Sequence, residues 1–262
     1  MDFKLQNKVA FVSASSRGLG KSCAMQLAKE GATVVISGRN REELKKVKED
    51  INLNFNNRVD YVICDITKKE DIHNAVAFTI NKYQRIDILI NNSGGPPSGK
   101  FEELNEQEWH RSFELNLLSY VRMIKEVLPY MKEQNYGKII NLASTSIKQP
   151  IPDLILSNTF RAGVLGLSKS LSNELAPYNI HVNTVAPGKI ATDRVKYLDK
   201  INADRQGLSV KEIQEQSKKE IPLNRYGDPQ EFGAVVAFLA SDVSSYMTGT
   251  SILIDGGMVK SF

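Results

Sequence analysis

An α/β fold with a seven-strand, doubly wound parallel sheet and helices on both faces is predicted by three features of the chain. Its 262 residues, 41% of them hydrophobic, suffice for one domain with a well-buried core. Short apolar runs alternate with longer stretches of helical periodicity, which is typical of parallel strands joined by crossover helices. No repeat or linker interrupts this alternation, so we predict a single domain over residues 1–262.

Seven apolar runs are predicted to form the strands, with about six helices between them. The runs are residues 9–13, 33–37, 59–63, 86–90, 138–142, 180–185 and 251–254. Ligands of such a sheet bind beyond the carboxyl ends of its strands. Between the sixth and seventh strands, residues 191–220 form a polar, charged helical stretch. Two interpretations stay open for it, a lid over a substrate site and a surface helix pair.

Composition excludes several classes of protein. The charges are evenly scattered and the net charge is only +4, so we expect no nucleic-acid surface. No apolar run approaches the roughly 20 residues that cross a bilayer, and the first residues lack the features of a signal peptide. The two cysteines and three histidines have no metal-ligand spacing. We therefore expect a reduced, cytoplasmic protein with no membrane partner and no metal.

A serine- and glycine-rich turn, S-A-S-S-R-G-L-G over residues 13–20, joins the first strand to a helix. Backbone N–H groups and the positive end of a helix dipole can face a pyrophosphate at such a junction. The alternative is a turn that packs closely and binds nothing. The candidate cofactor-binding residues here are Ser13, Ser15, Ser16, Arg17, Gly18, Leu19 and Gly20.

The end of the second strand indicates which dinucleotide is bound. A site for NAD(H) places an acidic residue there to accept hydrogen bonds from the ribose 2′-hydroxyl. This chain has Arg39 instead, with Arg17 in the turn and Arg41 nearby. Guanidinium groups suit a 2′-phosphate, so NADP(H) is favoured over NAD(H). The alternative for Arg39 is a solvated residue at the start of a helix.

Several motifs occur in the order known from one family. The turn resembles T-G-x-x-x-G-x-G, with Ser13 for Thr and Ala14 where the first Gly is usual, and C-D-I-T (64–67), N-N-S-G (91–94) and N-T-V-A-P-G-K-I-A-T (183–192) follow later strands. From about residue 8 to 257 the chain resembles the short-chain dehydrogenase/reductase family, a Rossmann fold, and its overall pattern is most similar to 3-oxoacyl-(acyl-carrier-protein) reductases. The resemblance implies cofactor contacts for Asp65, Ile66, Asn92, Gly94, Pro187, Gly188, Ile190 and Thr192.

The same resemblance locates the catalytic positions. The family's Asn, which holds a water, and its Ser, which polarises the carbonyl, correspond to Asn116 and Ser144. R-A-G-V-L-G-L-S-K-S-L (161–171) fixes the register of the helix that carries the family's Tyr and Lys. Those two positions hold Ser157 and Arg161, one helical turn apart. No tyrosine occurs between Tyr136 and Tyr178, so the family's proton donor is absent from this helix in any register.

These replacements alter the expected chemistry. A serine hydroxyl is not appreciably acidic near neutral pH, and arginine stays protonated. Lys148, four residues beyond Ser144, is a candidate substitute donor, against the alternative of a solvated loop lysine.

The leading interpretation is an oxidoreductase with an altered site that reduces a small-molecule carbonyl or oxidises an alcohol. The rivals are a catalytically silent dinucleotide-binding protein, acting as a sensor or partner subunit, and a scaffold that binds no nucleotide. The resemblance further implies a homo-oligomer, a tetramer or dimer, paired through helices near residues 106–134 and 157–176.

Overall fold

The computed structural model describes residues 2–55 and 59–261, and its centre is a seven-strand sheet in the order β3-β2-β1-β4-β5-β6-β7. Every neighbouring pair is parallel, which confirms the predicted doubly wound α/β fold. All seven predicted strands are present, with ends that differ from the prediction by at most two residues. They are β1 (Val9–Val12), β2 (Thr33–Gly38), β3 (Val59–Ile63), β4 (Ile88–Asn91), β5 (Gly137–Leu142), β6 (Ile180–Pro187) and β7 (Ser251–Ile254).

Nine α-helices occur in the described residues, against an expectation of about six. The number is higher because residues 191–220 hold two helices and the long central helix is assigned in two parts. The helices are α1 (Gly18–Lys29), α2 (Arg41–Phe55), α3 (Lys69–Tyr83), α4 (Glu106–Phe113), α5 (Ser119–Glu133), α6 (Ile155–Leu175), α7 (Asp193–Gln206), α8 (Val210–Lys219) and α9 (Pro229–Ala240). Among the described residues, none of these helices combines the length and apolar character that a membrane span requires.

Two hydrophobic cores lie on opposite faces of the sheet, because successive residues of a strand point to opposite sides. In β1, Ala10 and Val12 face the first core while Phe11 faces the second. Helices α1, α2 and α9 pack on the first core, and α3, α5 and α6 contribute to the second. Both faces of the sheet are thus covered, as parallel strands require.

The site follows from the strand order. β1 pairs with β2 on one side and with β4 on the other, so the chain winds outwards in both directions from this point. The loops that leave the carboxyl ends of β1 and β4 therefore run to opposite faces and leave a crevice between them. The predicted cofactor and catalytic segments all follow carboxyl ends of strands, and this topology brings them to one edge of the sheet.

A π-helical turn at Glu114–Leu118, called the π-turn below, separates α4 from α5. It holds Asn116, whose side chain is fully buried. A π-turn is wider than an α-helical turn and often occurs at functional sites. Here the side chain of Asn116 points towards the loop after β4 and is hydrogen-bonded to that loop.

At the opposite, amino-terminal edge of the sheet, Lys138 of β5 is almost fully buried. Its Nζ lies 2.7 Å from Nδ1 of His181 on β6. Burial lowers the pKa of Lys138 to about 8, although the charge of Asp242 opposes this shift and that of Lys8 adds to it. The folded protein therefore holds this proton less tightly than the unfolded chain does.

We expect the effect of Lys138→Met on stability to depend on pH. Below about pH 8 the lysine is charged in both the folded and the unfolded chain, and wild type bears the full penalty of burying it. Between pH 8 and pH 10 the folded protein releases this proton and the penalty declines, so the Tm of the variant relative to wild type should fall. The measurement is Tm for both proteins at pH 7, 8, 9 and 10. A constant difference would contradict the lowered pKa, and taking the difference cancels the titrating groups that do not interact with Lys138.

Candidate active site

A large cleft of ≈ 2040 Å³ lies at the carboxyl edge of the sheet. It collects most of the residues predicted from the sequence. Those that line it are Ser16, Arg17, Gly18, Leu19, Arg39, Asp65, Ile66, Asn92, Gly94, Ser144, Ser157, Arg161, Pro187, Gly188, Ile190 and Thr192. Ser13, Ser15, Gly20 and Asn116 are buried and are not part of its surface. Lys148 is exposed and does not line the cleft, so its role as a proton donor stays a prediction.

The turn after β1 is held by its serines. Ser13 Oγ donates to the carbonyl of Asn92 at 2.8 Å, and Ser15 Oγ donates to that of Val12 at 2.8 Å. Ser15 Oγ also accepts from the backbone N–H of Ser37 at 2.9 Å, which joins the turn to β2. These two hydroxyls are engaged with the backbone, and they shape the turn without facing the cleft.

The first-glycine position of the turn has a left-handed conformation. Ala14 has φ 46°, and Gly18 has φ 57°. A residue with a Cβ rarely adopts this conformation, because Cβ then approaches the following carbonyl oxygen, at a cost of about 1–2 kcal/mol. Ala14 thus has a backbone conformation that glycine would adopt without strain.

Gly20 is required for a close contact between the turn and the end of β4. A Cβ on Gly20 would lie 2.6 Å from both the Ala14 carbonyl oxygen and Nδ2 of Asn92. Asn92 Nδ2 donates to the carbonyl of Ala14 at 3.0 Å. The two segments at the centre of the cleft are therefore fixed to each other, and α1 begins directly behind them.

At one end of the cleft, Arg17 and Arg39 are exposed near Asp65. Burial alone would raise the pKa of Asp65, but hydrogen bonds from the N–H and hydroxyl of Thr67 and the charge of Arg39 lower it overall. Asp65 is thus held as a carboxylate acceptor. In the same region, Ser16 Oγ donates to Glu43 Oε2 at 2.9 Å.

At the other end, Ser144 begins the short 3-10 turn Thr145–Ile147, where its Oγ accepts from the N–H of Ser146 at 3.2 Å. Ser157 lies on the first turns of α6 and is 8% exposed. Both side chains line the cleft together with Arg161. The structure thus places two hydroxyls and one guanidinium at the positions that the family resemblance indicated.

Arg161 is 5% exposed and is surrounded by neutral oxygens. Its Nη1 donates to Tyr120 Oη at 2.8 Å and to the carbonyl of Leu142 at 2.9 Å. Its Nη2 donates to Ser93 Oγ at 3.1 Å. Among the described residues Arg161 forms no ion pair. Its positive charge at the cleft is therefore stabilised by the hydroxyl and carbonyl groups that accept its hydrogen bonds.

Two of these partners were not recognised as site residues from the sequence. Ser93 stands in N-N-S-G where the family motif has Ala, and its Oγ accepts from both Asn116 Nδ2 at 2.9 Å and Arg161. That departure from the motif was the available signal. Tyr120 gave no signal, because a buried tyrosine on a long helix is usually a packing residue. Its hydroxyl donates to the carbonyl of Leu142 at 2.8 Å and accepts from Arg161.

Buried Asn116 has one unsatisfied polar atom. Its Nδ2 donates to Ser93 Oγ and to the carbonyl of Gly94 at 2.7 Å, whereas its Oδ1 has no hydrogen-bond partner among the described residues. A buried acceptor without a partner usually binds an ordered water or a ligand donor. The role implied for this position by resemblance, holding a water, is compatible with this geometry.

Helix α7 borders the cleft. Arg205 of α7 reaches Asp153, on the loop before α6, at 3.2 Å, and Glu103 at 3.5 Å. The loop itself is fastened by Asn158, whose side chain bonds the N–H and the carbonyl of Ile151 at 3.2 and 3.0 Å. The C-terminal end of α7 therefore contacts the loop before α6 through the Arg205–Asp153 ion pair.

A strand-turn-helix junction at a topological switch point is typical of dinucleotide-binding α/β folds. Comparison with known proteins agrees. A family model described as enoyl-(acyl carrier protein) reductase matches residues 13–259. The chain belongs to the short-chain dehydrogenase/reductase family.

Individual relatives are similar over almost their whole length. The chain is 36% identical to the 3-oxoacyl-(acyl-carrier-protein) reductase FabG of Aquifex aeolicus, covering 98% of this chain and 100% of that protein. It is 33% identical to the NADPH-dependent reductase BacG of Bacillus subtilis, with 98% and 100% covered. The structure of L-sorbose reductase from Gluconobacter frateurii, complexed with NADPH and L-sorbose, matches with a TM-score of 0.95 at 30% identity, covering 100% of both chains.

The conformation of Ala14 predicts the effect of Ala14→Gly. Glycine adopts φ near 46° without the Cβ clash, so we expect the free energy of unfolding to rise by up to about 1 kcal/mol and Tm by roughly 2–4 °C. The measurement is thermal unfolding of the purified variant.

Gly18→Ala is the matched control. A Cβ there would meet nothing closer than Thr192 Cγ2 at 4.0 Å, so the substitution tests the backbone conformation alone. It should lower Tm by a similar amount. A lower Tm for Ala14→Gly would mean that the alanine methyl group contributes more by packing than it costs in strain.

Proposed function

We propose that the protein is an NADP(H)-dependent oxidoreductase that reduces a carbonyl group, or oxidises an alcohol, of a small molecule. The observation that carries the cofactor assignment is the pair Arg17 and Arg39. Both are exposed at the cleft, neither forms an ion pair within the described residues, and β2 ends without an acid. The NADPH-bound sorbose reductase and the NADPH-dependent reductase among the relatives support this choice.

The residues present fit a dinucleotide. The turn packs closely on the end of β4, since any side chain on Gly20 would collide with Ala14 and Asn92, and its residues Ser16 to Leu19 line the cleft. Its left-handed residues, Ala14 and Gly18, lie at the N-terminus of α1, where free backbone N–H groups and the helix dipole would stabilise an anionic pyrophosphate. Arg17 and Arg39 would hold the 2′-phosphate, Asp65 and Ile66 the adenine, and Asn92, Gly94, Pro187, Gly188, Ile190 and Thr192 the ribose and nicotinamide.

When bound, a reduced nicotinamide supplies the hydride, and the protein must bind the substrate and deliver one proton to its oxygen. Ser144 and Ser157 offer hydroxyl donors to the carbonyl oxygen. Arg161 cannot release its proton, but its fixed charge stabilises the negative charge that develops on that oxygen. The proton itself would come from water through the serine hydroxyls. Without a phenol acid we expect turnover to be slower by about 10² to 10⁴.

Residues 191–220 are proposed as the substrate lid. Thr192, Arg194 and Tyr197 line the cleft from this segment, and the Arg205–Asp153 ion pair joins its helix to the loop between Ser144 and Ser157. This position favours the lid over the alternative of an unrelated surface pair.

Cofactor preference is tested by thermal shift. NADPH should raise Tm more than NADH, because the 2′-phosphate gains charge-assisted hydrogen bonds worth about 1.5–3 kcal/mol, roughly 10- to 100-fold in Kd. Arg39→Glu should abolish or reverse the preference, since an acid accepts from the 2′-hydroxyl and repels a phosphate.

Lys45→Glu gives the matched control for that substitution. It makes the same change of charge at an exposed position on α2 that does not line the cleft, and it should keep the preference for NADPH. Equal shifts by the two cofactors in wild type would refute the assignment.

The altered catalytic helix is tested by restoring the family's residues. In Ser157→Tyr combined with Arg161→Lys, we expect NADPH oxidation by a ketone panel to rise 10²-fold or more, because a phenol donor and a lysine replace the serine and arginine. Arg161→Lys alone serves as the control and should give no gain. A double variant that folds and binds NADPH but shows no gain would favour the sensor function.

A further inference from the structure

A second arginine faces the substrate end of the cleft. Arg194 lies in the first turn of α7, and its guanidinium is held in one orientation. Nη2 donates to the carbonyl of Pro96 at 2.6 Å, and the group lies 5.6 Å from the centre of the Tyr197 ring. It also lies flat on Gly95, where a Cβ would come within 2.7 Å of Nε. Residue 95 therefore has to be glycine for the guanidinium to occupy this place.

None of these contacts neutralises the charge. Burial lowers the pKa of Arg194, the Tyr197 phenol opposes that shift, and the positive charge of Arg161 lowers the pKa further. Gly95 and Pro96, which Arg194 contacts, follow closely after Ser93, which accepts from Arg161, so the two guanidinium groups lie in the same part of the cleft. Two like charges held in a region of low dielectric destabilise the protein until an anion binds between or beside them.

Three of the acidic residues along the cleft form ion pairs with other basic residues. Asp153 pairs with Arg205 at 3.2 Å, Glu114 with Arg122 at 3.5 Å and Asp193 with Lys196 at 3.6 Å. Within residues 2–55 and 59–261, no carboxylate forms an ion pair with Arg161 or Arg194. The two guanidinium groups are therefore positioned for an anion that the chain itself does not provide.

We propose that Arg194 binds a carboxylate of the substrate, so that this oxidoreductase acts on oxo acids or hydroxy acids in preference to neutral ketones and alcohols. The proposal rests on the function proposed above. A guanidinium presents parallel N–H donors that match the two oxygens of a carboxylate, and the single bond to Pro96 leaves other donors available. The phosphates of a dinucleotide have their own partners in the turn and in Arg17 and Arg39.

The test compares each acid with its methyl ester, which differs in charge but little in shape. Phenylpyruvate and acetoacetate, each paired with its methyl ester, are titrated into the wild-type protein by calorimetry, with and without NADP⁺. We expect each acid to bind at least tenfold more tightly than its ester. In Arg194→Gln the acid and the ester should bind equally, while the Kd for NADPH stays unchanged.

Two further variants separate charge from folding. Gly95→Ala leaves both arginines in the chain but displaces the guanidinium, and it should also reduce the preference for the acid. Lys200→Gln removes a positive charge from an exposed position on α7 outside the cleft, and it should keep the preference. Tm of each variant verifies that it is folded.

The outcomes are distinguishable. Equal binding of acid and ester in wild type overturns the proposal, and so does a preference that survives in Arg194→Gln. A loss of NADPH affinity in Arg194→Gln that matches the loss for the acid would reassign Arg194 to the cofactor's pyrophosphate and overturn it too. Absence of NADPH binding by wild type refutes the proposed function, yet the titrations without cofactor still decide whether Arg194 binds carboxylates.

Discussion

The burial of the Arg161 guanidinium without a carboxylate is the constraint on which the site depends. An arginine cannot discharge itself by losing a proton, so each of its donors needs an acceptor. The acceptors come from three other elements: Tyr120 on α5, Leu142 on β5 and Ser93 after β4, all within 3.1 Å. One side chain of α6 is thus hydrogen-bonded to α5, to the end of β5 and to the loop after β4.

The hydrogen bonds of Arg161 depend on the side chains at residues 93 and 120. With alanine at residue 93, Nη2 would lose its acceptor, and with valine or leucine at residue 120, Nη1 would lose one of two. Ser93, Tyr120 and Arg161 are therefore adapted to one another. The absence of the family's tyrosine and lysine is accompanied by three hydrogen bonds from Arg161, which indicates a site with a different arrangement and not one that has merely lost residues.

Much of the fold was predictable from the sequence, because strand runs and the turn after β1 depend on local patterns. The i/i+4 relation of Ser157 to Arg161 was predictable for the same reason. The partners of Arg161 were not, since they depend on how far α6 stands from the sheet. Arg194 was missed because its orientation is set by Gly95, about 100 residues earlier in the chain. The exposure of Lys148 likewise depends on the path of a loop that no periodicity describes.

The π-turn at Glu114–Leu118 restricts the lengths that this segment of chain can have. Each residue of an α-helix turns the direction of the side chains by about 100° around the helix axis. A π-turn inserts one extra residue, so the side chains of α5 point in directions rotated by about this angle from those that a continuous α-helix from α4 would give. Trp109 of α4 packs against Phe160, and Tyr120 of α5 is buried. Both positions depend on the rotation between α4 and α5. Deleting one residue here would rotate one of these side chains away from its partners. Insertions and deletions in evolution should therefore be tolerated in the surface loops of this protein and excluded from a helix that by ordinary criteria looks continuous.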